Sequence, residues 1–177
     1  FYNQSSIINL SFKDINNSGC SIIGSNSFYN CNGFDNITLP SSLRKLGDSS
    51  FKNTILNNLI IPEGVININD NAFESCNNLK GVSLPSSLIS LGVSAFKSSG
   101  LSSIILPDNL NYIDINVFNN CSGLSIIDFG TGISIINTSA FDSCTNLIGL
   151  SIPNNIINIG ISAFKNNSSL INIEMGT

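Results

Sequence analysis

Large apolar residues recur along this chain at an almost fixed period. Phe28, Phe51, Phe73, Phe96, Phe118, Phe141 and Phe164 stand 23, 22, 23, 22, 23 and 23 residues apart. Other apolar positions keep the same register. Five residues before each Phe stands a branched aliphatic: Ile23, Leu46, Ile68, Leu91, Ile113, Ile136 or Ile159. Eight before it stands Cys20, Leu43, Val65, Leu88, Leu110, Ile133 or Ile156. Eleven before it stands Pro40, Pro62, Pro85, Pro107, Gly130 or Pro153, with Asn17 in that place for Phe28. The two 22-residue repeats are those with one residue fewer between Phe and the next apolar anchor, Phe51 to Leu56 and Phe96 to Leu101. A single deletion in one loop therefore accounts for both exceptions.

Each repeat predicts two extended pieces and one compact turn. The piece Leu79-x-x-Val82-x-Leu84 ends in the alternation of a half-buried strand. The Pro that follows has no N–H to donate, so it suits a strand end. The second piece is Leu88-x-x-Leu91 and its equivalents. Four residues before each Phe stands Gly24, Gly47, Asn69, Gly92, Asp114, Asn137 or Gly160. These are the residue types that tolerate positive φ, and they predict a left-handed corner there. A small residue precedes most of the Phe residues (Ser27, Ser50, Ala72, Ala95, Ala140, Ala163), with Val117 the exception. That predicts a helical turn packed closely on its neighbour.

One such coil cannot bury its own apolar face, but stacked coils can, because equivalent residues line up. The expected fold is an α/β repeat solenoid with one parallel sheet of short strands, and compact turns or short helices between them. It forms one domain over residues 1–177 of about seven and a half repeats, starting near residues 1, 28, 51, 73, 96, 118, 141 and 164. Phe1 lies 27 residues before Phe28, which places about four extra residues near Lys13 to Asn16. The chain starts on a repeat Phe and stops just past a strand, so it is expected to be part of a longer array.

The motif strand-Pro-x-x-Leu-x-x-Ile-Gly-x-x-Ala-Phe-x-x-Cys-x-x-Leu, read in Pro85 to Leu101 and in Phe141 to Pro153, resembles the BspA-like leucine-rich repeats. Departures are Gly130 and Gly176 in the Pro position, and Thr54, Ser99 and Asn167 in the Cys position. The resemblance implies a right-handed leucine-rich-repeat solenoid, often in microbial surface proteins that adhere to host matrix or to other cells.

Composition narrows the function further. Charged residues make up only 10% of the chain, while 29 Asn and 30 Ser supply the polar surface. A net charge of −4, without a basic cluster beyond Arg44–Lys45, argues against nucleic acid or an anionic membrane as partner. No apolar run approaches the ~18 residues that cross a bilayer, so no direct membrane insertion is expected in this segment. With no His, the usual catalytic triads and most zinc sites are excluded. The Gly residues fall on repeat corners and form no phosphate loop. The acidic residues are scattered, sharing a position in adjacent repeats only incidentally. No enzyme activity, cofactor or metal is expected.

Four of the five Cys follow a repeat Phe by three residues, and Cys20 fills an aliphatic position; all five are expected to be buried, unbridged core residues. Sequons at Asn3, Asn16, Asn36, Asn120, Asn137, Asn166 and Asn167 are as numerous as so Asn-rich a chain would scatter by chance.

What remains is a binding surface. One residue per repeat is expected to point outward between two buried neighbours on the strand: Thr38, Ile60, Ser83, Ile105, Asp128 and Ser151, with Ser11 and Glu174 at the ends. Ile60 and Ile105 both fall in the short repeats and suggest duplication of a two-repeat unit. The expected function is protein–protein interaction, with a host matrix protein or a neighbouring subunit as ligand, in a secreted or cell-surface adhesion protein. The alternative is a cytoplasmic structural scaffold that tiles against other subunits.

Overall fold

A computed structural model describes residues 1–8, 10–12 and 19–176. The expected insertion near Lys13 to Asn16, Asn17 of the Pro position and the sequon at Asn16 lie outside the described residues. Thirteen short strands follow one another: β1 (Ile22–Ile23), β2 (Lys45–Leu46), β3 (Asn58–Ile60), β4 (Asn67–Ile68), β5 (Gly81–Ser83), β6 (Ser90–Leu91), β7 (Ser103–Ile105), β8 (Tyr112–Ile113), β9 (Ile126–Asp128), β10 (Ile135–Ile136), β11 (Gly149–Ile152), β12 (Asn158–Ile159) and β13 (Asn172–Met175). All pairings are parallel and join one coil to the next, giving a β-solenoid of about seven turns.

Two features depart from expectation. The first is that both extended pieces of each repeat pair, so there are two strand columns and not one sheet. One column contains the ladders β1-β2-β4-β6 and β8-β10-β12; the other contains β3-β5, β7-β9 and β11-β13. The second extended piece needs only two residues per coil to pair, too few to show alternation in sequence. In the first column Ile23, Leu46, Ile68 and Leu91 stand in register, as do Ile113, Ile136 and Ile159.

The second departure is that no described residue is helical; the segment around each Phe is a run of turns. Nor is the left-handed backbone where the Gly/Asn/Asp position suggested. Asn26, Ser49, Asn71, Ser94, Asn116, Ser139 and Ser162, two residues before each Phe, have φ between 52° and 58°, as do Asn30, Asn53, Ser75, Ser98, Asn120, Ser143 and Asn166, two after it, between 55° and 63°. A left-handed residue on each side of the Phe keeps the chain from winding into a helix, and every second N–H points out of the coil. Ser94, Phe96 and Ser98 donate to the carbonyls of Ile115, Val117 and Asn119 in the next coil, at 3.0, 3.0 and 2.8 Å. The N–H groups between them close turns within the coil: Ala95 to Gly92, Lys97 to Ser94 and Ser99 to Phe96. A helix would direct all of these bonds along its own axis. The turn instead adds a third column of backbone hydrogen bonds between coils. Glycine four residues before Phe serves close approach: a Cβ on Gly92 would lie 2.5 Å from the backbone nitrogen of Asp70.

Inside, the repeat Phe rings form one ladder from Phe1 to Phe164. Neighbouring centroids are 5.0–5.7 Å apart and interplanar angles run from 1° to 13°. The two longest steps, Phe51–Phe73 at 5.6 Å and Phe96–Phe118 at 5.7 Å, are those across the 22-residue repeats. The aliphatics of both strand columns close on this ladder to make one continuous core.

Candidate functional site

The strand column β3 to β13 carries the face singled out by sequence. Thr38, Ile60, Ser83, Ile105, Asp128 and Ser151 are all exposed. Their buried flanks explain the direction: Leu59 and Ile61 beside Ile60, Ile104 and Leu106 beside Ile105, and Leu150 and Ile152 beside Ser151 all turn inward. Register brings these residues side by side. Ser11 bridges to Thr38, Ile60 pairs with Ser83, Ile105 with Asp128, and Ser151 with Glu174. Pairing is interrupted between these couples, for β5 and β7 belong to separate ladders. Among the outward residues Ile60 and Ile105 are 75% and 70% exposed, and the same strand column also exposes Ile126 in β9 and Ile173 and Met175 in β13.

Shallow depressions run along this face. One spans Leu10 to Ser83, with Thr38, Ile60 and Pro62 on its wall. The next shares Gly81, Val82 and Ser83 with it and reaches Asp128 and Gly130. A third carries on from Asp128 to Ser151 and Pro153. Among the described residues, the charged ones that line them are Asp108 and Asp128, both acidic.

Most other carboxylates bind the chain to itself. Asp35, Asp48 and Asp142 accept hydrogen bonds from the side-chain amides of Asn57, Asn69 and Asn166, one coil further on, at 3.2, 2.8 and 3.0 Å. Glu63, Asp70 and Asp108 accept from the backbone N–H groups of Ser86, Val93 and Thr131 at 3.0, 2.9 and 2.7 Å. Those backbone bonds hold the Glu63 and Asp108 carboxyls below their usual range. Glu74 meets the Lys52 ammonium at 2.7 Å. Asp48 and Asp70 share a position in adjacent coils, yet each serves a separate N–H. Among the described residues no group of three or more His, Cys, Asp or Glu could hold a metal ion.

The thiols need one correction. No disulfide forms, and Cys31, Cys76, Cys121 and Cys144 are buried, but Cys20 is exposed. Its sulfur lies 3.3 Å from the Ile22 carbonyl oxygen of its own coil. The buried thiols also have a polar task. Cys76, Cys121 and Cys144 donate to the Phe51, Phe96 and Phe118 carbonyls of the preceding coil at 3.1, 3.0 and 3.1 Å. Burial pushes Cys76 and Cys121 up to about 11 and raises Cys144 further. In the short repeats Thr54 and Ser99 hold the same position, each 3.3 Å from the next Cys sulfur.

Comparison with known proteins agrees with this architecture. The sequence profile described as BspA type Leucine rich repeat region matches in 6 copies over residues 1–125 and 92–177. A T. pallidum leucine-rich-repeat protein of known structure is 25% identical with a TM-score of 0.83, over 96% of this chain and 79% of that one. A leucine-rich-repeat protein from Eubacterium ventriosum is 18% identical with a TM-score of 0.55, over 86% of this chain and 44% of that one. No curated protein matches.

Proposed function

The chain belongs to the BspA type leucine-rich-repeat family, and on that premise we propose that it is a protein-binding module whose ligand rests on the strand face at Thr38, Ile60, Ser83, Ile105, Asp128 and Ser151. Repeats of this kind are in general interaction scaffolds without catalysis of their own. The observation that supports this face is the pair Ile60 and Ile105. These two strongly exposed aliphatics, joined on the same column by Ile126 at 64% exposure, carry apolar surface that folding leaves unused. Carboxylates elsewhere are mostly engaged between coils, whereas Asp128 on this face is exposed and accepts a hydrogen bond from the Gly130 N–H of its own coil at 3.0 Å.

The reading extends to setting: an adhesive protein displayed at the cell surface, as the family resemblance implies. No helix among the described residues is long and apolar enough to cross a membrane. Binding of antibody against this domain to intact source cells, compared with lysed ones, tests the setting.

Selection of ligands from a displayed peptide and protein library tests the face. A variant carrying Thr38→Arg, Ser83→Arg and Ser151→Arg should lose the selected ligands. A variant carrying Asn67→Arg and Ser90→Arg on the other strand column should keep them. The reverse result would place the binding surface elsewhere.

A further inference from the structure

The strand face has relief as well as exposure. Ile60 and Ile105 stand two coils apart, and the rung between them is Gly81-Val82-Ser83, with no side chain at Gly81 and a hydroxymethyl at Ser83. The first two depressions meet on this rung. It is a trough with an aliphatic ridge on each side. At about 4.8 Å per parallel rung, ridge to ridge is roughly 10 Å, room for one large apolar side chain seated over Ser83. Two coils past Ser83, again roughly 10 Å on, stands Asp128. Among the described residues the groove's charged lining is wholly acidic, so a cation is the complement at that end.

We propose that the trough receives a polyproline-II segment carrying a large apolar residue and, three residues away in either chain direction, a Lys or Arg. This rests on the strand face being the protein-binding face. The apolar side chain lies between Ile60 and Ile105; the cation pairs with Asp128. A polyproline-II helix repeats every three residues at about 3.1 Å each, so residues three apart share a face about 9 Å apart. That matches the two-coil step. A β-strand would turn its third residue to the opposite side. An α-helix matches the distance at seven residues, but its backbone is satisfied internally. A polyproline-II backbone is unpaired and can use the exposed hydroxyl and amide groups of Asn58, Ser83 and Ser103 beside the trough.

The probe is a fluorescein-labelled proline–serine peptide with one phenylalanine and one lysine three residues from it. Companion peptides place the lysine two or four residues away, replace it by glutamate, or replace the phenylalanine by serine. Fluorescence anisotropy at low and high salt should show the three-residue lysine peptide binding about tenfold tighter than each companion, an interaction of hot-spot size. Ile60→Ser and Ile105→Ser should each weaken it about tenfold, and Ser83→Phe, which fills the trough, should abolish it. Asp128→Asn should erase the preference for lysine over glutamate and flatten the salt dependence. Thermal melts identify any variant that misfolds, and the wild-type peptide series stands independently of all four.

Equal binding across spacings and charges overturns the motif, and so does absence of saturable binding. If library ligands are still lost with Thr38→Arg, Ser83→Arg and Ser151→Arg, the strand-face reading survives that failure. If they are not, it falls separately.

Discussion

Single positions show how this array uses residues that look ornamental in sequence. Ser50 occupies the small-residue position before Phe51, is fully buried, and its hydroxyl oxygen finds no partner. The same position is Ala in four other coils. Ser50→Ala should therefore stabilise the fold by about 1 kcal/mol, the penalty of a buried unpaired hydroxyl, as a rise in denaturant midpoint with unchanged slope. The thiols separate by exposure: titration of the native protein should modify Cys20 rapidly, and the remaining four only after unfolding. More than one fast thiol would mean that the ladder of Cys31, Cys76, Cys121 and Cys144 is open to solvent. Asp108 and Glu63 give the fold a pH dependence of known sign. Their folded pKa values lie below the ordinary 3.8 and 4.5, so their contribution is full above those values and fades as pH falls through the lowered ones. Thermal melts from neutral pH down to about 3 should lose stability in that range, and Asp108→Asn should make the loss shallower.

At the scale of the element, the left-handed residues decide whether the Phe segment is a turn or a helix. Asn120, two residues after Phe118, has φ 59° and an exposed side chain. Asn120→Gly should change stability by less than about 0.5 kcal/mol, whereas Asn120→Val should cost about 1–2 kcal/mol, because a β-branched side chain crowds the left-handed backbone. Equal effects in chemical denaturation would contradict the left-handed turn. This element is also the one that departs most from what its sequence suggests. The Phe period, the Pro ends and the buried aliphatics were legible because burial repeats and marks its own register. The left-handed sites were legible in principle, since all fourteen flanking positions are Asn or Ser, but the Gly, Asn and Asp position four residues before Phe offered a more familiar signal. Its glycines answer to a neighbouring backbone. The outward residues of the strand face could be placed from alternation alone; the trough at Gly81–Ser83 could not, for it depends on which rungs lie side by side.

For the whole molecule the coil is the unit of both structure and error. Equivalent residues recur two coils apart, as in Glu63 and Asp108, Thr54 and Ser99, or Cys76 and Cys121. Since each coil meets only its neighbours, stability is close to a sum over rungs and interfaces. Excising residues 51–95 removes two whole coils and joins the Phe28 rung to that of Phe96. The shortened protein should retain its circular dichroism shape and melt cooperatively. Excising residues 51–90 joins coils out of phase, and that product should be unfolded or aggregated. Failure of the in-phase product would mean that the stack depends on contacts beyond adjacent rungs.

The three columns of hydrogen bonds have a mechanical consequence. All of them lie along the solenoid axis, each joining one coil to the next. Tension applied between the two ends therefore pulls the columns in line with their bonds and opens them rung after rung, in the manner of a peeled strip. A released coil of 22 or 23 residues lengthens from one rung, about 5 Å, to as much as ~80 Å at full extension. Such a chain yields at low force over a long distance, and lets out slack one coil at a time.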